Sequence, residues 1–265
     1  MPGLETAKTK FLLYHDLASL CAGDAARARE RFREQIALIA GWGFRFRSMA
    51  EFLAGEARTG RDVVITFDDG GRSFIECALP VLQEFSATAT MYIVAGFPGY
   101  RGRGLDFLDW DEIDFLAGQG IDIGSHALSH QPLTDLGADT VRREVFAAAE
   151  IFASRGLAPT TFAYPYGRPS EVAKLAVRDA GHRAAFTIKK GGRDPLELRR
   201  RLFTLTEPAS VVRFFMSDAY FPIRKAIVSV VPERFRREGK PIPPELLGAT
   251  GFGIDDWRPP EAEGR

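Results

Sequence analysis

One stretch of the sequence, residues 63–70, limits the possible folds more than any other. It reads Val-Val-Ile-Thr-Phe-Asp-Asp-Gly, so β-branched and aromatic residues run directly into two adjacent carboxylates. The apolar part is typical of a buried strand, whereas two neighbouring carboxylates inside a strand would be costly to bury without partners. We therefore expect the strand to end at Phe67, with Asp68 and Asp69 on the loop at its carboxyl end. Because successive side chains point in different directions, the two carboxylates are expected to have different roles.

The same succession of apolar strand and helix repeats along the chain. Further strands are predicted at 11–14, 88–94, 121–123, 160–164, 184–188 and 202–205, with helices at 24–41, 72–85, 109–117, 139–154 and 170–180. A break or a new helix start is expected at Pro80. Strands that alternate with helices pair in parallel through crossovers. About seven such units without a glycine-rich nucleotide motif favour a barrel over a doubly wound sheet, so the predicted fold class is α/β.

Composition and charge exclude several classes of protein. Apolar residues make up 45% and charged residues 26%, as in soluble globular proteins. The 35 basic residues balance the 35 acidic ones, which gives no reason to expect a nucleic acid or an anionic membrane surface as partner. No apolar run reaches membrane-spanning length, and residues 1–10 lack the apolar core of an export signal, so a cytoplasmic protein is expected. Cys21 and Cys77 are expected to be buried free thiols, and the oligomeric state is left open.

Polar side chains of similar chemistry follow four of the predicted strands. They are Tyr14-His15-Asp16, Asp68-Asp69, the pair His126 and His130, and Pro165-Tyr166-Gly167. In a parallel barrel the carboxyl ends of all strands lie on one face, where active sites are built, so residues remote in sequence would converge there. Histidine and aspartate ligate borderline divalent ions, and one Asp with two His leaves positions open for water and substrate. The sequence therefore predicts a metal site on this face.

The two central histidines, His126 and His130, are four residues apart, so on a helical turn both rings would share one face. Ala127 occupies the position that carries Glu in the zinc-protease helix motif, so the general base must come from elsewhere, and Asp68 is the candidate. Each group also has an ordinary structural interpretation as a satisfied histidine, a cap or a turn. The fourth histidine, His182, follows a glycine at a helix end, and we interpret it as a surface residue, or as one that interacts with the helix dipole, rather than as a ligand.

Three ordered motifs make the chain resemble a known family. They are Thr66-Phe67-Asp68-Asp69-Gly70, Gly124-Ser125-His126-Ala127-Leu128-Ser129-His130 and Phe162-Ala163-Tyr164-Pro165-Tyr166-Gly167. These motifs resemble the first three of the polysaccharide deacetylase family (NodB homology, carbohydrate esterase family 4), over residues 10–206. The style of the third motif, and the early Tyr14-His15-Asp16, are similar to the poly-N-acetylglucosamine deacetylase branch. The resemblance implies a distorted (β/α)7 TIM-like barrel, which we assign to residues 1–206, and residues 207–265 are expected to form a C-terminal helical extension and an irregular tail.

The resemblance also implies an activity, the metal-dependent removal of N- or O-acetyl groups from sugars. At the positions that match the family motifs, the metal ligands would be Asp69, His126 and His130. The catalytic groups would be Asp68 as base, the backbone N–H of Tyr166 as oxyanion donor and His15 as acid. Zinc is the first choice of ion, with cobalt, nickel, manganese and iron left open. Whether Asp16 orients His15 or only turns the chain is also open.

The chain departs from the family pattern at three places. Ala127 replaces a hydroxyl residue after the first histidine of the second motif, and Ser129 is expected to steady the loop instead. Ala163 stands near the place of the arginine that orients the base in the family, for which Arg201 is the substitute candidate. No histidine follows His182, so the late acid histidine of many members is missing, which is why His15 is assigned that role.

Two other functions remain open at this stage. One is hydrolysis of a small cyclic imide or amide by the same barrel. The other is an inactive barrel that only binds carbohydrate, which the altered motifs allow. The expected partner is therefore a carbohydrate or a small amide. Residues 96–104, rich in glycine, are expected to form a loop at the rim of the site.

Overall fold

The computed structural model describes residues 9–55, 60–102, 105–188, 191–192 and 194–223. Of the helical extension and irregular tail expected at 207–265, the part from residue 224 onward lies outside the described residues. None of the helices in the described part of the chain has the length and apolar character needed to cross a membrane.

Strands and helices alternate along the described residues. The strands are β1 (Lys10–Tyr14), β2 (Arg45–Phe46), β3 (Asp62–Phe67), β4 (Ala89–Ile93), β5 (Arg101–Gly102), β6 (Leu105–Asp106), β7 (Asp122–Ser125), β8 (Thr161–Ala163), β9 (Ala184–Thr187) and β10 (Leu198–Leu202). The α-helices are α1 (Ala25–Gly41), α2 (Met49–Ala54), α3 (Leu79–Glu84), α4 (Trp110–Gly118), α5 (Ala138–Ser154), α6 (Glu171–Asp179) and α7 (Ala209–Met216). Connections contain the 3-10 turns Ser19–Cys21, Leu133–Asp135, Pro165–Gly167 and Pro195–Glu197 and the π-helix Phe74–Ala78.

Seven of the strands form a closed parallel barrel. Their order is β1-β10-β9-β8-β7-β4-β3, and β3 pairs in turn with β1 to close the ring. The short β2 pairs with β3 as an additional strand. Since every pairing in the ring is parallel, the carboxyl ends of the seven strands lie on one face. The predicted (β/α)7 barrel is confirmed.

The strands are buried on both faces, as is usual when helices surround a parallel sheet. Every residue of β1, β3 and β4 is buried. Inside the barrel the rings of Phe11 and Phe186 meet at 5.0 Å between centroids. Tyr92 fits beside Gly124, where an added Cβ would lie 2.3 Å from the ring, and its hydroxyl lies 3.0 Å from Thr161 Oγ1. Only a glycine at position 124 leaves room for this tyrosine.

The last barrel strand begins earlier than predicted. The strand expected at 202–205 is β10, Leu198–Leu202. The predicted bounds were wrong, since three consecutive arginines at 199–201, a residue type that is mostly exposed, conceal the start of this strand. Two of them, Arg200 and Arg201, are in fact 1% and 5% exposed.

The predicted break in the helix at 72–85 is confirmed. The π-helix Phe74–Ala78 ends where α3 begins at Leu79, and Pro80 lies in the first turn of α3. Proline has no N–H to donate to the preceding turn. The Glu76 carbonyl accepts instead from Arg29 Nε at 2.7 Å.

The assignment of His182 to the surface was wrong. This residue is 6% exposed and its ring lies 5.4 Å from that of Phe162. The chain turns inward after α6 because it begins β9 only two residues later, at Ala184. The two cysteines are free thiols, with Cys77 buried and Cys21 partly exposed.

The chain divides into two compact units, Met1–Glu207 and Pro208–Arg265. The barrel belongs to the first unit, and α7 belongs to the second. The assignment of residues 1–206 as the functional domain, with 207–265 as an extension, stays a prediction.

Candidate active site

The predicted site residues lie on loops at the carboxyl face of the barrel. His15 follows β1, the Asp68-Asp69 pair follows β3, His126 follows β7 and Tyr166 follows β8. The register explains part of this convergence, because Tyr14 pairs with Phe67 and the Asp68 amide donates to the Tyr14 carbonyl at 3.0 Å.

Three of these side chains form a compact cluster. Nitrogen and oxygen atoms of Asp69, His126 and His130 lie within 4.8 Å of one another. Asp69 Oδ1 is 3.5 Å from His126 Nε2 and 3.3 Å from His130 Nε2. Ligand atoms of a tetrahedral zinc site, each about 2.0–2.2 Å from the ion, are about 3.3–3.5 Å apart. Asp69 Oδ1 is buried and has no hydrogen-bond partner among the described residues, so the cluster fits a divalent cation.

The tautomer of His126 suits a metal ligand. Its Nδ1 lies 2.7 Å from the Ala163 carbonyl oxygen, which can only accept, so Nδ1 carries the hydrogen and Nε2 keeps its lone pair. A backbone carbonyl in this position is a common second partner of a ligating histidine. Burial also lowers the pKa of both His126 and His130, which favours the neutral imidazole that binds metals.

The loops of the site hold several residues in left-handed backbone conformations. Positive φ angles occur at Asp69 (74°), Ala127 (64°), His130 (58°) and Tyr166 (58°). Only two other non-glycine residues in the described part of the chain share this conformation, Ala22 and Ser86. Each costs on the order of 1–3 kcal/mol and persists only where its surroundings enforce it. This concentration indicates that the loops are held for a purpose other than stability.

Asp68 is paired with Arg200, a residue of β10. Arg200 Nη1 and Nη2 donate to the two carboxylate oxygens at 2.6 Å each, and Nη1 also lies 3.1 Å from Thr66 Oγ1. The guanidinium lies over the rings of Tyr92 at 5.3 Å and Phe186 at 5.8 Å. Burial raises the pKa of Asp68, but Arg200 and the nearby His126 outweigh it and hold that pKa below its usual range.

The substitute arginine was therefore predicted one residue too late. Residues alternate between the two faces of a strand, so Arg200 points to the side of Leu198 and Leu202, and Arg201 points to the other. The alternation itself, with an arginine flanked two residues away on each side by leucine, could have identified Arg200 from the sequence.

Asp69 is as buried as Asp68, but its pKa is shifted in the opposite direction. Burial, and then the charge of Asp68, raise the pKa of Asp69 well above its usual range. A bound cation has the opposite effect, because it favours the ionised carboxylate.

His15 lies close enough to Asp68 and His126 to feel their charges. Burial lowers the pKa of His15 to about 4, and the attraction of Asp68 opposes this shift only in part. At neutral pH the ring is therefore uncharged. Asp16 accepts hydrogen bonds from the hydroxyls of Ser19 and Ser73, so it ties the loop after β1 to the residue that precedes the π-helix Phe74–Ala78.

Tyr166 lies in the 3-10 turn Pro165–Gly167, which follows β8. Its ring is 4.9 Å from that of His130. The following Gly167 also has a positive φ, and an added Cβ there would lie 2.7 Å from Ile188. The turn is therefore packed tightly against the segment after β9.

Sequence reasoning missed one further buried carboxylate, Glu144 of α5. It is 5% exposed and accepts three hydrogen bonds from Leu128 and Ser129, between the two histidines of the cluster. It lies on the apolar stripe of α5 with Val141 and Val145. A glutamate on a core-facing stripe could have revealed it.

Comparisons with known proteins agree with this geometry. The sequence model of the polysaccharide deacetylase family matches residues 55–185. YxkH of Bacillus subtilis (strain 168), whose name places it among the polysaccharide deacetylases, is 25% identical over 191 residues. That match covers 70% of this chain and 66% of YxkH, just under two thirds of the relative's length.

Two solved structures share the fold. IcaB from Ammonifex degensii is 24% identical with a TM-score of 0.68, and the match covers 79% of this chain and 97% of IcaB. The Streptococcus pyogenes deacetylase PplD, solved in complex with acetate, is 20% identical with a TM-score of 0.69 and coverage of 79% and 98%. The segment that matches the polysaccharide deacetylase model, residues 55–185, carries the Asp-Asp pair and both histidines of the cluster.

Proposed function

We propose that the barrel is a metal-dependent hydrolase that removes acetyl groups from an N-acetylated or O-acetylated sugar or polysaccharide, with poly-N-acetylglucosamine as the model substrate. One observation carries the proposal. The buried Asp69 Oδ1, unpartnered among the described residues, lies within 3.5 Å of two imidazole nitrogens. Beside it lies Asp68, a carboxylate already kept ionised by Arg200, with Oδ2 at 3.7 Å from His126 Nε2.

Asp69, His126 and His130 would hold the ion. The chemistry that a divalent cation would supply there is Lewis acidity, toward the acetyl carbonyl and toward water as the nucleophile. Two imidazoles and one carboxylate suit zinc, and also cobalt, nickel, manganese or iron.

Asp68 takes a proton from the attacking water. Its lowered pKa keeps it ionised at neutral pH, and the two bonds to Arg200 leave lone pairs on both oxygens. These bonds also fix the direction of the carboxylate. A carboxylate with a lowered pKa is a weak base, so the reaction requires water that the site has already activated.

His15 delivers a proton to the leaving group. An amine leaves poorly unless it is protonated, and a histidine whose pKa is about 4 gives up its proton readily. Since the ring is uncharged at neutral pH, it takes up its proton during the reaction, from the water by way of Asp68. The backbone N–H of Tyr166 is proposed to stabilise the oxyanion of the acetyl group.

The test combines elemental analysis with two activity assays. We expect about one equivalent of zinc per chain, acetate release from N-acetylglucosamine oligomers, and no ring opening of cyclic imides. His130→Ala, the control, should lose both the zinc and the acetate release. Imide ring opening without acetate release would favour the amidase alternative, and zinc that stays bound in His130→Ala would refute the proposed ligands.

A further inference from the structure

We propose that Glu144 is a positioning residue that fixes the loop carrying His126 and His130, and so sets the affinity of the site for its cation. The proposal rests on the metal site of the proposed function. It adds a residue that lies outside the motifs and whose hydrogen bonds go to the loop between the two histidines.

Glu144 binds the middle of this loop with both carboxylate oxygens. Oε2 accepts from the amides of Leu128 at 3.2 Å and Ser129 at 3.0 Å, and Oε1 accepts from Ser129 Oγ at 2.6 Å. The side chain is almost fully buried, and hydrogen bonds to a buried carboxylate are among the strong ones. One side chain thus holds two successive residues of the loop.

The opposite edge of the loop is held by the backbone after β4. The amide of Ala95 donates to the Ala127 carbonyl and the amide of Gly96 donates to the Leu128 carbonyl, both at 2.9 Å. An added Cβ on Gly96 would lie 2.7 Å from the Leu128 oxygen, so the approach requires glycine. Leu128 is therefore fixed through its N–H by Glu144 and through its C=O by Gly96.

The loop needs such support for two reasons. Ala127 and His130 both adopt left-handed conformations that the sequence does not favour, and Ala127 has no hydroxyl with which to bind its own loop. His130 Nε2 must nevertheless stay 3.3 Å from Asp69 Oδ1 to share a cation with it. A shift of the loop by a fraction of an ångström would change this spacing, so residues that orient ligands affect metal affinity without contacting the metal.

Glu144 is well placed for this role because α5 is anchored. Its neighbours on the same stripe, Val141, Val145 and Ala148, are at most 1% exposed. The rigidity of the helix is thereby transmitted to the loop through one carboxylate. The negative charge of Glu144 also stabilises a nearby cation, in addition to the hydrogen bonds.

The test measures the zinc dissociation constant by competition with a chromophoric chelator. Unfolding in the presence of EDTA shows separately whether each variant keeps the stability of the metal-free fold. Glu144→Gln keeps the size of the side chain but loses its charge and part of its acceptor capacity. It should weaken zinc binding about 10–100-fold, the usual effect of a residue that supports metal ligands. Glu150→Gln alters an exposed glutamate of the same helix and should leave the zinc affinity unchanged.

Ser129→Ala removes only the hydroxyl bond and keeps the two amide bonds, so it should weaken zinc binding by a smaller factor, about 3–10-fold. This variant keeps the proposal testable should Glu144→Gln fail to fold. Wild-type zinc affinity in a folded Glu144→Gln, or in Ser129→Ala, would overturn the role of Glu144 while leaving the proposed function intact. A wild-type protein that binds no zinc, cobalt or nickel would refute both.

Discussion

The two halves of the site, which meet at the end of β3, solve the problem of buried charge in opposite ways. On the base side, Asp68 has both oxygens bound by Arg200. On the cation side, Asp69 keeps a buried oxygen without a partner among the described residues, facing two neutral histidines. The carboxylate of Asp68 is therefore neutralised within the chain, whereas that of Asp69 is left for the proposed cation. Damage to each half should give a different combination of lost activity and lost metal.

The largest effects should come from replacing each aspartate by its amide. Asp68→Asn removes the base, so acetate release should fall by about 10²–10⁴-fold, while zinc affinity stays close to wild type. Asp69→Asn should lose zinc binding, because it removes a charged ligand. The metal-free Asp69→Asn protein should also be more stable than metal-free wild type by about 1–3 kcal/mol, because a buried carboxylate with one oxygen unpartnered among the described residues is replaced by a neutral group.

Elemental analysis, acetate release and urea unfolding in EDTA check these outcomes. Full acetate release by Asp68→Asn would remove Asp68 from the mechanism. Zinc binding by Asp69→Asn at the wild-type level would contradict the assignment of Asp69 to the cation side.

The next largest effect concerns the arginine of the base side. Arg200→Met leaves the buried Asp68 charge uncompensated, which usually costs about 3–5 kcal/mol. Urea unfolding should show this loss, and acetate release should fall with it. Arg201→Met makes the same chemical change on the other face of β10 and is the matched control for activity. Equal losses of activity in the two variants would contradict the assignment of Arg200 to Asp68.

A histidine outside both halves makes the stability of the fold depend on pH, and this effect must be separated from the effects of the site residues. His182 lies at the amino-terminal end of β9, and burial lowers its pKa from 6.5 to about 4. Between these values the unfolded chain binds a proton that the folded chain does not, so the stability present above pH 6.5 is lost as the pH falls toward 4. The full loss is about 3 kcal/mol.

His182→Gln should remove this part of the acid destabilisation. Urea unfolding of both proteins at pH 7 and pH 4.5 measures it, since the other histidines are common to both. A difference between the two proteins that does not change with pH would show that His182 does not titrate as its burial requires.

The smallest effect tests the packing beneath the base side. In Gly124→Ala the new Cβ would lie 2.3 Å from the ring of Tyr92, which supports the Arg200 guanidinium. We expect a loss of about 1–3 kcal/mol from overpacking, with a moderate fall in acetate release. Gly118→Ala is the control, because a Cβ there meets nothing within 4 Å at the end of α4. Equal behaviour of the two variants would show that Tyr92 has room to move.

The barrel and the cluster could be predicted because both follow from local pattern. Alternating strands and helices require parallel pairing, and parallel pairing brings strand ends to one face. The convergence of Asp69, His126 and His130 could therefore be predicted without knowing the distances between them.

Arg200 and Glu144 were not predicted, because their partners are remote. A charged residue in a strand or on a helix is normally solvated. The flanking apolar residues could have marked both side chains as buried, but only the folded barrel shows that Arg200 faces Asp68 and Glu144 faces the histidine loop. The start of β10 was misplaced for a related reason, since its arginines concealed the strand. His182 was misassigned because a glycine before a histidine gives no indication that the chain turns inward.

The ion pair between Asp68 and Arg200 also bears on how the protein is made. The two residues are 132 positions apart, and Arg200 arrives with the last strand of the ring. A nascent chain on the ribosome can thus form most of the parallel strands before it has the counter-charge for Asp68. The strand that closes the barrel also brings this counter-charge, so a truncated chain that ends before β10 would leave the Asp68 carboxylate unpaired as well as the barrel open.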